Sequence, residues 1–174
     1  ALRLTKKLFA NDHLNFAKLP SEILSNPKIE AVAVLTSTSS HLKYTLTALQ
    51  SKKHVFLEKP VAVLPKDIEK IIKHEKKYKR YCQVGMVLRY SSFYRELLKI
   101  VGSCKYGKVL WMNWLETRLF DPMLCRYNNT AINGDVIIHD KAVHQINLFN
   151  QFAGSKPIEV SAMGGQYLIN PKTY

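Results

Sequence analysis

Two places in this chain carry side chains from which proton and hydride chemistry could be assembled. The first is Lys59, between Glu58 and Pro60 and directly after the apolar run His54-Val55-Phe56-Leu57. Proline fixes its own φ and biases the residue before it away from the helical region. A lysine so held keeps one direction and can donate to a ribose hydroxyl or to a reacting oxygen. From the tripeptide alone it is a surface lysine before a turn proline, and only its position at a ligand edge raises it above that. The second place is the pair Asp140 and His144, four residues apart and so on one face of a helix. Imidazole is the side chain best suited to take and return a proton near neutral pH, and a carboxylate one turn away can orient it. The pair also reads as an ordinary helix-surface hydrogen bond, or as two metal ligands. His139 points elsewhere on the helix and no third ligand follows at a motif spacing, so no metal is expected. His41 follows the hydroxyl-rich stretch Thr36-Ser37-Thr38-Ser39-Ser40 and either faces a cofactor or caps a helix start. Arg89 either meets substrate or cofactor oxygens or pairs with an acid on the surface.

The elements that must position these residues follow from periodicity. Leu19 to Leu24 reads as a short helix with Pro20 near its start. Ala31-Val32-Ala33-Val34-Leu35 is apolar without alternation, which predicts a strand covered on both faces. A helix is expected from about His41 to Ser51, striped by Leu42, Leu46 and Leu49, then a strand His54 to Leu57. Residues 66–80 carry seven Lys or Arg against three acids, with Ile68, Ile71, Ile72 and Tyr78 on one face, and predict an amphipathic helix. Cys82 to Val87 reads as a third strand. Strand, helix, strand, helix, strand with room for right-handed crossovers is the pattern of a doubly wound parallel sheet. In such sheets ligands bind beyond the carboxyl ends of the strands. Those ends lead into Thr36 to His41, Glu58 to Pro60, and Leu88-Arg89-Tyr90.

The pattern changes beyond Arg89. Tyr94, Leu97, Leu98 and Val101 stripe a helix ending near Gly102, and Val109 to Leu115 reads as a strand. An irregular stretch follows from Phe120 to Asn133. Val136-Ile137-Ile138 then leads into a helix carrying Val143, Ile146, Phe149 and Phe152, closed by Gly154, and Ile158 to Ala162 alternates as a strand.

Composition narrows the function classes. The net charge of +13 invites a nucleic-acid reading. Its densest stretch, however, is the lysine-rich helix, where a solvated face explains it, and no zinc finger or repeated basic-aromatic pattern accompanies it. The excess charge could weakly aid attraction of a phosphorylated cofactor. Cys82, Cys104 and Cys125 form no CxxC pair, which fits a reducing compartment. No apolar run nears the roughly 18 residues that span a bilayer, and no secretory signal opens the chain. The expectation is a cytoplasmic protein that handles a small molecule, without nucleic-acid or membrane partners.

In order, Thr36-x-x-x-x-His41, Glu58-Lys59-Pro60, Arg89 and Asp140-x-x-x-His144 resemble the glucose–fructose oxidoreductase, inositol dehydrogenase and MocA family. The resemblance runs from about Pro20 to Gly165. It includes Ala48-Leu49-Gln50-Ser51-Lys52-Lys53-His54-Val55 and the passage Tyr106-Gly107-Lys108-Val109 into a second domain. It implies an NAD- or NADP-binding Rossmann domain joined to an α/β domain with a mostly antiparallel sheet. Residues 1–88 would be the C-terminal part of the first and residues 89–174 the N-terminal part of the second. It implies oxidation of a secondary hydroxyl of a sugar or cyclitol, or the reverse. By carry-over, Lys59 contacts the nicotinamide ribose and the reacting oxygen, His144 is the acid/base, and Asp140 supports it and binds substrate. Thr36, Ser37, Thr38, His41 and Glu58 line the cofactor cleft, and Arg89 faces cofactor and substrate. Copies could associate through the second-domain sheet. Ser37 stands where the family often has Pro, and Ala142 where it often has Gly. No GxGxxG turn occurs, nor an acidic residue closing an earlier strand. The sequence therefore reads as a piece incomplete at both ends, with a non-catalytic nucleotide-binding or scaffold remnant as the alternative.

Overall fold

The structure is a computed structural model that describes residues 15–117 and 141–164. The expected opening helix of residues 1–9, the stretch 120–133, the run 136–138 and Asp140 lie outside the described residues.

Among the described residues the centre is a three-stranded parallel sheet, β1 (Ala31–Val34), β2 (His54–Leu57) and β3 (Cys82–Val84), in the order β1-β2-β3. The register pairs Val34 with Leu57 and Leu57 with Val84, so the three strands end nearly level. A short helix α1 (Pro20–Leu24) precedes β1. Its proline sits in the first turn, and the Glu22 carboxylate accepts the N–H groups of Lys18 and Leu19.

Two crossover helices, α2 (Thr38–Gln50) and α3 (Pro65–Tyr78), pack on the sheet and on each other. Right-handed connections between neighbours taken in one direction put both helices on the same face. That face is the core: Val34, Ala48, Leu49, Val55, Leu57 and Ile71 are buried together. Helix α3 starts on Pro65 with Asp67 in its first turn and ends with Lys76 and Lys77, charges that oppose its dipole at each end.

The amino ends of the strands are tied by side chains. Lys53, buried before β2, donates from Nζ to the Asn26 carbonyl at 2.7 Å. Arg80 donates from Nε to the Lys52 carbonyl at 2.7 Å, and the His54 and Tyr81 rings stack 5.4 Å apart.

Several expectations need correction. Ala31–Val34 is a strand, but among the described residues only one of its faces is covered, leaving Ala31 and Ala33 exposed. The third strand stops at Val84. The chain then turns through Met86 N–H to Val84 O and Val87 N–H to Gly85 O into a 3-10 turn, Val87–Tyr90. Helix α2 begins three residues earlier than expected. Its buried side chains are Thr38, His41, Thr45, Ala48 and Leu49, with Leu42 and Leu46 only partly buried. On α3, Ile71 is buried but Ile72 is exposed.

Two helices follow the sheet: α4 (Ser92–Gly102), which ends where periodicity placed it, and α5 (Val143–Ala153). The buried side chains of α5 are His144, Leu148 and Phe152; of the expected stripe Phe152 is buried, Val143 and Phe149 are half-buried, and Ile146 is exposed. The expected strands at Val109–Leu115 and Ile158–Ala162 have no hydrogen-bonded neighbour among the described residues and form no ladder there. No antiparallel sheet is therefore seen in this part. Trp114 instead stacks on Tyr94 at 5.8 Å and meets Phe149 edge-on.

Candidate active site

The carboxyl edge of the sheet gathers most of the residues singled out above. After β1, Thr36 and Ser37 expose their hydroxyls at the start of α2, while Thr38 is buried as its first residue. Ser37 occupies the N-cap position without a side-chain cap bond. The turn is held by Ser40 instead, whose hydroxyl donates to the Ser37 carbonyl at 2.8 Å and pairs with the Thr36 hydroxyl at 2.7 Å. His41 lies one residue deeper and is fully buried. Its Nδ1 is 2.8 Å from the Pro60 carbonyl oxygen and its Nε2 is 3.0 Å from that of Thr36.

After β2, the Glu58 N–H donates to the Val34 carbonyl at 3.1 Å and so extends the ladder by one residue. Glu58 and Lys59 are both half-buried, and the Lys59–Pro60 peptide is cis. The Glu58 side chain leans across β3. A Cβ placed on Gly85 would stand 2.9 Å from its Oε2 and 3.1 Å from the Phe56 ring. Gly85 is therefore closely approached by two side chains, a role that the sequence signals only as a glycine at the end of an apolar run. Gly85→Val should cost about 1–3 kcal/mol through overpacking, measured by chemical denaturation. Gly85→Ala should cost less, because the Glu58 carboxylate can swing aside.

After β3, Arg89 donates from Nε to Asn147 Oδ1 at 2.8 Å, and Gln151 donates to the same oxygen at 2.8 Å. This bond fastens α5, which carries buried His144, to the segment leaving β3. Neither Asn147 nor Gln151 figures in the sequence reading. Asn147 lies three residues after His144 and shares its side of the helix, which is the one signal that points to it. Cys82 is no nucleophile: burial, with the Glu75 charge adding to it, pushes its thiol up to about 11, so it stays protonated at neutral pH. No three His, Cys, Asp or Glu side chains among the described residues come together as a metal site requires.

An apolar hollow of about 480 Å³ lies elsewhere, between α4, the segment 109–115 and α5, lined by Tyr94, Leu97, Met112, Trp114 and Phe149 among others. Its lining is too poor in ionisable groups for proton chemistry. The carboxyl edge, by contrast, offers exposed hydroxyls beside a helix N-terminus, an ammonium and a guanidinium. That donor set suits the sugar and carboxamide oxygens of a nicotinamide nucleotide.

A parallel sheet with its polar groups collected at the carboxyl edge defines an α/β domain of the Rossmann class. Comparison with known proteins agrees. Residues 4–86 match the model of the Gfo/Idh/MocA oxidoreductase family, NAD-binding Rossmann fold. It is similar to myo-inositol 2-dehydrogenase of Thermotoga maritima, 26% identical over 147 residues, which are 84% of this chain and 43% of that protein. It is also similar to inositol 2-dehydrogenase of Pseudomonas fluorescens, 27% identical over 81% of this chain and 40% of the relative. The chain thus spans about two fifths of the length of these relatives. Among solved structures, a probable dehydrogenase from Thermotoga maritima superposes with a TM-score of 0.70 at 23% identity, over 88% of this chain and 44% of that one, a likeness of fold.

Proposed function

We propose that the protein is a dehydrogenase that moves hydride between NAD or NADP and a secondary hydroxyl or ketone of a cyclitol or sugar. The observation that carries this reading is the Arg89–Asn147 bond. It ties the helix of His144 to the edge of the sheet from which Lys59 departs. The two relatives named above, both inositol dehydrogenases, favour a cyclitol. Residues up to 88 then form the nucleotide-binding domain, and those from 89 onward belong to the domain that receives substrate.

The cofactor would lie against Thr36, Ser37 and Lys59, with Glu58, Thr38 and His41 behind them. The nicotinamide, when bound, supplies the hydride acceptor. The chain's own residues do the rest. Taking hydride from a carbinol carbon requires its hydroxyl proton to leave as well. A ring nitrogen of His144 accepts that proton, Asp140 steadies the ring, and the Lys59 ammonium stabilises charge developing on the oxygen. Arg89, held by Asn147, fixes the orientation of the substrate side.

The test is to express the complete gene product and follow nicotinamide absorbance with NAD and NADP against a panel of cyclitols and aldoses. Reduction of either cofactor that depends on a cyclitol is expected. A fully folded protein that reduces neither cofactor with any member of the panel would refute the proposal.

A further inference from the structure

His41 is 1% exposed, the least of any ionisable side chain among the described residues. Its ring stands between carbonyls of two different turns, Pro60 at 2.8 Å and Thr36 at 3.0 Å. A neutral imidazole donates to one of them, and a ring protonated on both nitrogens donates to both. In either state each nitrogen faces a main-chain carbonyl of the protein, and neither is turned toward a ligand.

The consequence falls on Lys59. On one side of it, the Glu58 N–H is fixed to Val34 by the last rung of the ladder. On the other side, the Pro60 carbonyl is fixed by the His41 ring. Lys59 is thus the single residue between two anchored points. The Thr36 turn, stiffened by its own Ser40 bonds, is the support from which the ring reaches across. We infer that His41 is a positioning residue: it does not touch cofactor but braces the turn after β1 against the turn after β2, and so sets the direction in which Lys59 leaves the sheet. The importance of that direction rests on the role proposed for Lys59 above.

Two substitutions separate the halves of the brace. His41→Asn puts an amide N–H where Nδ1 was and can keep the bond to Pro60. His41→Gln puts one near the place of Nε2 and can keep the bond to Thr36 only. Both are made in the complete gene product, alone and combined with Lys59→Met. By hydrogen-exchange mass spectrometry, residues 58–62 should exchange faster in His41→Gln and near the parental rate in His41→Asn, with β3 and α3 unchanged. In turnover, His41→Gln should lower kcat roughly ten- to hundredfold, the scale of a small misplacement of a catalytic group. His41→Asn should recover most of that loss. With Lys59→Met already present, His41→Gln should cost nothing further. Equal exchange in all proteins overturns the brace. Faster exchange with kcat losses that multiply overturns the path through Lys59. A parent protein without nicotinamide turnover removes the proposed activity and the Lys59 role with it, and exchange alone then decides whether the brace exists.

Discussion

Replacing His144 by Ala is expected to lower kcat by about 10²–10⁴-fold, the contribution of a positioned acid/base, while nicotinamide nucleotide affinity changes little. The asymmetry follows from where the residue sits. His144 lies on α5, whose other buried anchors, Leu148 and Phe152, keep the helix docked when the ring is removed. The residues proposed to hold the cofactor belong to the turns after β1 and β2, in a different part of the chain. Stopped-flow hydride transfer read beside equilibrium binding of NADH and NADPH separates the two effects. Turnover that survives the substitution would strip His144 of its role, and a parallel collapse of binding would assign it to the cofactor instead.

Leu57→Ala should cost about 2–5 kcal/mol of folding stability, the sum of lost transfer free energy and an unfilled cavity. Leu57 is fully buried at the centre of the cluster formed by Val34, Ala48, Leu49, Val55 and Ile71, and its carbonyl accepts the Gly85 N–H at 2.8 Å. Few neighbours can move in to fill the space, since strands flank it on both sides and α2 and α3 cover it. Lys73→Ala, on the exposed face of α3, should stay within about 0.5 kcal/mol. Denaturant midpoints of the two variants measure the contrast, and equal shifts would place the core elsewhere.

Local periodicity made the frame legible. Strand β2 falls on the residues expected, the helix over residues 66–80 forms from Pro65 to Tyr78, and α4 ends at Gly102. What local pattern misses has a physical cause in each case. Periodicity weighs apolar residues, so it passed over His41 and Thr45 on the buried face of α2, and on α5 it found Phe152 but not His144. A strand is defined by a hydrogen-bonded neighbour, which the apolar runs at 109–115 and 158–162 do not carry in themselves. Asn147 owes its place to an arginine 58 residues away, and pairing at that separation leaves no trace in nearby spacing. The same holds for His41, whose partner Pro60 lies 19 residues ahead. Asp140 lies outside the described residues, so its pairing with His144 belongs to the proposal.

The clamps at the opposite end of the sheet carry a separate implication. Lys53 on Asn26 and Arg80 on Lys52 bolt the floor of the domain by bonds that run to main-chain oxygens, not to other side chains. Such bonds survive any change of neighbouring residue type, because every residue brings a carbonyl. These ties thus lie at the end of the sheet away from the carboxyl rim. Exposed rim residues such as Thr36 and Ser37 can then vary with little thermodynamic penalty, whereas Gly85 and buried His41 at the same rim cannot.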